Sequence, residues 1–200
     1  MQVSSMTHSL DSLRKVQEDT PWVTRRGFLK LAAMSMGCLA TYPALAKVTL
    51  KKERKLFFYC PKTDERIRTV YWTPQDGYLR DSIKEISWVL RDYRTDQVKI
   101  YDPKLLDQMF ALQLKMDYGK PFHVISGYRS PQTNAMLRRN SKAVAKNSFH
   151  MYGKAADIYM PGQSVADLHR AALSLSAGGV GYYPRSHFIH IDTGPVRSWG

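Results

Sequence analysis

The spacing of apolar residues changes along the chain, and each change marks an element. Lys55 to Cys60 (KLFFYC) and Arg66 to Trp72 (RIRTVYW) are aromatic and β-branched runs on either side of a polar PKTDE, which predicts a β-hairpin. Between Leu79 and Tyr93 the apolar positions are Ile83, Ile86, Val89 and Leu90, the spacing of an amphipathic helix. Asp102-Pro103 opens a second helix, with a capping side chain and then proline at the first helical position. Its apolar face runs through Leu105, Leu106, Met109, Phe110, Leu112 and Met116, and Pro121 stops the pattern. FHVIS reads as a short buried strand, SPQTNAMLRR as a capped helix start, and Ser164 to Ser176 as a further helix. GGVGYY and HFIHID are both short and β-like. Helices and hairpins mix without a regular βαβ alternation, so the predicted class is α+β.

The stretch SFHMYGKAADIYM, Ser148 to Met160, fits no single period. His150 and Asp157 stand seven residues apart, which on a helix separates them by about 10 Å at 1.5 Å per residue. Two ligands that must each lie about 2 Å from one ion do not fit that spacing. They share a metal only if the chain folds back at Gly153 and re-enters as a strand, with Ala156, Ile158 and Met160 on one face and Asp157 and Tyr159 on the other. The competing reading is a histidine ending a helix and an exposed aspartate on a strand.

The amino-terminal region reads as an address rather than as part of the fold. TRRGFLK, Thr24 to Lys30, has paired arginines, and a modest apolar stretch runs from Leu31 to Leu39. Pro43 and then Ala44-Leu45-Ala46 supply a helix break and small cleavage-site residues. This resembles a twin-arginine signal, which would make residues 1–46 a signal peptide, residues 47–200 the mature domain, and the export machinery a partner. The expected destination is the periplasm or cell envelope. No stretch is long and apolar enough for a committed membrane span.

Composition narrows the partners. The chain is 44% hydrophobic and 24% charged, which excludes wholesale disorder. The first 46 residues hold five of the 30 lysines and arginines and three of the 17 acids, leaving 25 against 14 and a net charge of +11. That charge suits a polyanion. Nucleic acid is disfavoured by export and by the lack of any recognisable binding motif, so the expected polyanion is the cell wall, with a generally basic, soluble surface as the equal alternative. Only Cys60 remains after residue 46, which rules out an internal disulfide and makes it a buried small hydrophobe.

Three segments carry candidate chemistry: SGYRS (Ser126 to Ser130), SFHMYGKAAD, and SHFIHID (Ser186 to Asp192). His150, Asp157 and His190 supply the three protein ligands of a catalytic zinc, whose remaining position would hold a water with its pKa lowered to about 7. Arg129, at a strand exit, suits an oxyanion or a substrate carboxylate. Together these motifs resemble the M15 family of zinc D,D-peptidases, with His150, Gly153 and Asp157 in matching positions and Ser148 two before the histidine. GGVGYYPRSHFIHIDTGPVRSW further resembles the murein endopeptidase K group of that family.

The resemblance covers about Lys55 to Trp199. It implies a small antiparallel sheet flanked by helices, Zn2+ on His150, Asp157 and His190, and hydrolysis of peptide cross-links in peptidoglycan during wall expansion or remodelling. The substrate contacts would then be peptidoglycan peptide stems. Many members carry a glutamate as general base three residues before the last ligand, where this chain has His187. Histidine suits such work. Asp192, two residues beyond His190 on the same strand face, is the other candidate base, or else orients an imidazole. Tyr182 and Tyr183 are candidates for the groove, with ordinary packing favoured for at least one. His123 and His169 read as structural. Two other functions stand beside the endopeptidase: a zinc-containing wall-binding module that cuts nothing, and a D,D- or L,D-carboxypeptidase. Absence of the glutamate argues for the module, and the count of three strong ligands with no suitable cysteine argues against it.

Overall fold

The computed structural model describes residues 52–141 and 144–200. The signal expected over residues 1–46 lies outside them. The predicted hairpin forms from β1 (Arg54–Cys60) and β2 (Glu65–Thr73), paired antiparallel with Tyr59 opposite Arg66. A two-residue strand β3 (Gly77–Tyr78) extends it. Helix α1 (Arg80–Val89) follows and is shorter than its apolar spacing predicted. The chain leaves the helix at Leu90, and the buried Asp92 then accepts the backbone N–H of Arg94. Helix α2 (Pro103–Lys115) starts as expected, with Asp102 accepting from the Lys104 N–H.

Strand β4 (Phe122–Ser126), helix α3 (Pro131–Asn140), a 3-10 turn (Phe149–Tyr152) and strand β5 (Ala155–Tyr159) come next. Helix α4 (Val165–Ser174) is capped by Ser164, which accepts from the Asp167 N–H. The chain closes with β6 (Gly179–Tyr183), a 3-10 turn (Pro184–Ser186), β7 (Phe188–Asp192) and β8 (Arg197–Trp199).

All eight strands join one sheet in the order β3-β2-β1-β4-β5-β7-β6-β8. It is larger than the small antiparallel sheet the resemblance implied, and two pairs, β1 with β4 and β6 with β8, are parallel. Strand alternation divides its residues between two faces. Leu56, Phe58, Phe122, Val124, Ile158, Val180, Ile189 and Ile191 form a single core with Ile86 of α1, Leu105, Met109 and Leu112 of α2, and Leu168 of α4. Each such side chain stabilises the fold by about 1.5–3 kcal/mol on burial. Cys60 joins this core and donates to the Val89 carbonyl at 3.2 Å. Burial pushes its thiol up to about 12, so it stays protonated. The opposite face bears Asp157 and His190, which stand in register on β5 and β7.

Candidate metal centre

His150 reaches the sheet from outside it. Ser148 opens the 3-10 turn, and Gly153 closes it with φ +64°. A side chain at Gly153 would meet the Ile100 carbonyl oxygen at 2.7 Å, so left-handed backbone and close approach both demand glycine. The chain reverses there and enters β5, which brings His150 over Asp157. The fold-back that a shared metal requires is present.

His150 Nδ1 lies 2.7 Å from the Gly127 carbonyl oxygen, an acceptor only, so this nitrogen carries the proton and Nε2 presents its lone pair. Nε2 is 3.2 Å from Asp157 Oδ1 and 3.2 Å from His190 Nδ1, and the last two atoms are 2.9 Å apart. A tetrahedral ion with bonds of about 2.0 Å separates its ligands by about 3.3 Å. The triangle therefore has the size of one coordination shell. It consists of an imidazole lone pair, a carboxylate oxygen and a second imidazole, all converging without a neutral donor among them. Such a set fits a divalent cation. Among the described residues this trio is the only such group of potential ligands.

Asp157 and Asp192 set the charge of the site. Burial would raise the Asp157 carboxyl, but His150, His190 and Arg129 hold it well below the ordinary range. His190 lies between the two carboxylates, its Nε2 at 2.9 Å from Asp192 Oδ2. Burial opposes its protonation, yet the two acids raise its pKa above the ordinary value. His150, fully enclosed, is shifted downward by desolvation. Arg129 and Arg197 balance the two carboxylates, and Asp157 Oδ1 is left facing the two imidazoles, where a cation can be received.

Asp192 is completely buried, and every lone pair is engaged. Besides His190 it accepts from the Gly179 and Gly194 N–H groups and from both ends of the Arg197 guanidinium, at 3.0 and 2.7 Å. Arg197 in turn lies over the rings of Phe149 and Trp199. These contacts exist because Gly179 and Gly181 have no side chain: a Cβ would strike Arg197 at 2.4 Å in one case and the Trp199 indole at 2.7 Å in the other. Asp192 holds the His190 ring in place and leaves Nδ1 facing the site. It has no free lone pair with which to take a proton from a substrate.

The segment SGYRS works residue by residue. A bulge in β4 slips the register so that Ser126, not Ile125, stands opposite Asp157. Gly127 gives its carbonyl to His150, and the Tyr128 N–H binds the Leu90 carbonyl. The Arg129 guanidinium is ion-paired with Asp157 Oδ2 and bonded to Ser126 Oγ at 2.8 Å. It fixes the carboxylate so that Oδ1 faces the two histidines. Ser130 caps α3 and gives its N–H to the buried Asp92 at 2.8 Å, which anchors the whole segment.

A cavity of about 450 Å³ opens over the trio, lined among others by Arg129, Phe149, Tyr183, Phe188 and Trp199. Tyr183 is therefore a groove residue, whereas Tyr182 stacks on His169 of α4. His187 is exposed at φ +55°, immediately before the cavity-lining Phe188, and is not itself among the lining residues. Arg197 and Asp92 carry no sequence signal for their parts, since each finds its partner only through the fold.

Residues 48–199 match the family model described as peptidoglycan L,D-endopeptidase MepK. The peptidoglycan L,D-endopeptidase MepK of Escherichia coli strain K12 is 41% identical over 176 residues, 88% of this chain and 96% of that protein. A probable enzyme of the same description from Haemophilus influenzae is 40% identical over 177 residues, covering 88% of this chain and 95% of its own.

Proposed function

Since the chain belongs to the family of peptidoglycan L,D-endopeptidase MepK, a family of M15 peptidases, we propose that it is a zinc endopeptidase of the cell wall, opening peptide bonds between an L- and a D-configured centre. The 3-3 bridge, which contains such a bond, is the favoured substrate over the 4-3 bridge. The observation that carries the reading is the trio itself: His150 Nε2, His190 Nδ1 and Asp157 Oδ1, mutually 2.9–3.2 Å apart beneath an open cavity. Two imidazoles and one carboxylate form a borderline-soft set that suits zinc and leaves a position for substrate.

When bound, zinc supplies Lewis acidity to the scissile carbonyl and to the attacking water. The chain's own groups do the rest. Gly127 and Asp192 fix the imidazole tautomers, and Arg129 fixes the carboxylate. Tyr183, Phe188 and Trp199 wall the cavity, and their rings limit water around the reacting bond. His187 is our candidate for the proton carrier, because Asp192 is saturated while His187 stays exposed beside Phe188. Export by the twin-arginine route to the periplasm, with cleavage after Ala46, completes the proposal. Cross-linked muropeptide dimers incubated with the zinc-loaded protein test it: monomers whose masses locate an L,D bond support it, and intact dimers overturn it.

A further inference from the structure

One row of the sheet outward from the trio, aromatic side chains stand shoulder to shoulder across six strands. The pairings are Tyr183 with Phe188, His123 with Tyr159, Tyr59 with His123, and Arg66 with Tyr59. Ile158 opposite Ile189 brings Tyr159 beside Phe188 and so joins the two halves. The rings touch: Tyr183 and Phe188 stack at 4.7 Å, His123 and Tyr159 lie 4.7 Å apart, Tyr59 and His123 lie 4.8 Å apart, and Arg66 covers Tyr59 at 4.3 Å. All six are on the face that carries Asp157 and His190, opposite the helices, and none is buried. Arg68, over Phe57, continues the row's basic end.

Packing does not account for this row. The core lies on the other face, and six half-exposed aromatic or cationic side chains in line form a contact surface. Its Tyr183–Phe188 end lines the cavity, so it is continuous with the reacting site. We propose that this row is the track for the uncut part of the substrate, with the glycan-proximal stem lying over Tyr159 and His123, its sugar on Tyr59, and its carboxylates meeting the Arg66 and Arg68 guanidiniums. This inference rests on the peptidoglycan reading of the metal site.

Distance supports the assignment. Two residues along a strand amount to about 7 Å and each strand step to about 4.8 Å, which puts Tyr59 about 12 Å and Arg66 about 16 Å from Asp157. A three-residue stem spans at most about 11 Å, so the sugar it hangs from comes to Tyr59 and the Arg66 guanidinium that covers that ring when the scissile bond is at the trio. Aromatic faces pack against the C–H faces of a pyranose, and guanidinium forks match carboxylates. Arg66 also meets Asp64, but that ion pair is open to water and 3.6 Å long, so a substrate carboxylate can replace it. Arg68 has no acidic partner among the described residues.

The test compares Tyr59→Ser and the double variant Arg66→Gln/Arg68→Gln with the parent protein on two cross-linked dimers, one carrying its sugars and one stripped of them. The track predicts a KM raised about tenfold by Tyr59→Ser on the sugared dimer alone and by the arginine variant on both dimers, which share the stem carboxylates, with metal content and melting temperature unaltered. Tyr59→Phe, which keeps the ring, should behave as the parent. Equal losses by Tyr59→Ser on both dimers, or no loss by the arginine variant on either, would overturn the track. Co-sedimentation with isolated sacculi separates this from the peptidase reading. If the parent cuts neither dimer, retained sacculus binding by His190→Ala and lost binding by Arg66→Gln/Arg68→Gln would still support the track. Unchanged binding by the arginine variant would end it.

Discussion

At His190 two carboxylates compete for one imidazole, and that competition defines the site. Asp192 takes the Nε2 side and Asp157 the Nδ1 side, so a cation between Nδ1, His150 and Asp157 meets two imidazole lone pairs and a carboxylate oxygen already in place. Replacing His150, Asp157 or His190 by alanine should strip zinc and abolish cleavage, as metal analysis after desalting and a turnover assay would show. Asp192→Asn is expected to act more mildly, lowering metal affinity about 10–100-fold because the imidazole keeps a neighbour but loses its charged acceptor. Undiminished affinity would mean that Arg197 and the Gly194 N–H hold nothing that matters. His187→Ala should keep the metal and slow turnover about 10²–10⁴-fold, the usual worth of a proton-transfer group. Unchanged turnover would remove His187 from the chemistry. The convergence of His150, Asp157 and His190 was legible in the sequence because their residue types and the glycine between two of them admit few alternatives. Arg197 was not, since its partner Asp192 meets it only when β8 lies along β6.

Among the elements, the turn at Gly153 does most to assemble the site. It must hold φ +64° with Ile100 pressed against it, so Gly153→Ala adds the left-handed penalty of about 1–2 kcal/mol and a steric clash. Thermal unfolding should shift down, and zinc affinity should fall with it because His150 rides on that turn. A variant as stable as the parent would show that the turn relaxes freely. The longer elements were legible from periodicity, and Asp102, Ser130 and Ser164 marked helix starts by their capping chemistry. The two-residue β3 and three-residue β8 left no pattern to read. The parallel pairing of β1 with β4 joins strands far apart in sequence, and no local signal specifies it. FHVIS read as buried throughout, yet only Phe122 and Val124 enter the core while His123 faces the open side. Its neighbours Tyr59 and Tyr159 come from other strands, so that environment was invisible in the segment itself.

Over the described residues as a whole, the helices of the core pack on one sheet face, and the His150–Asp157–His190 trio with its aromatic row occupies the other. No helix among the described residues is long and apolar enough to cross a membrane. A net charge of +11 beyond residue 46 attracts a polymer rich in carboxylates, so sacculus binding should weaken as salt rises and the Debye length falls from about 10 Å at 0.1 M to about 3 Å at 1 M. Salt-independent binding would assign affinity to the aromatic row alone. The family resemblance carried by the motifs made the substrate class legible, whereas the bond cut depends on groove shape, which the sequence does not encode locally. The most direct measurement takes residues 47–200 with one equivalent of zinc, adds a muropeptide dimer joined by a 3-3 bridge, and follows the products by mass spectrometry beside a chelated control. Monomers cut at the L,D bond should appear in the zinc sample alone. A folded, zinc-loaded protein that binds the dimer and leaves it intact would contradict the endopeptidase reading and indicate a wall-binding module instead.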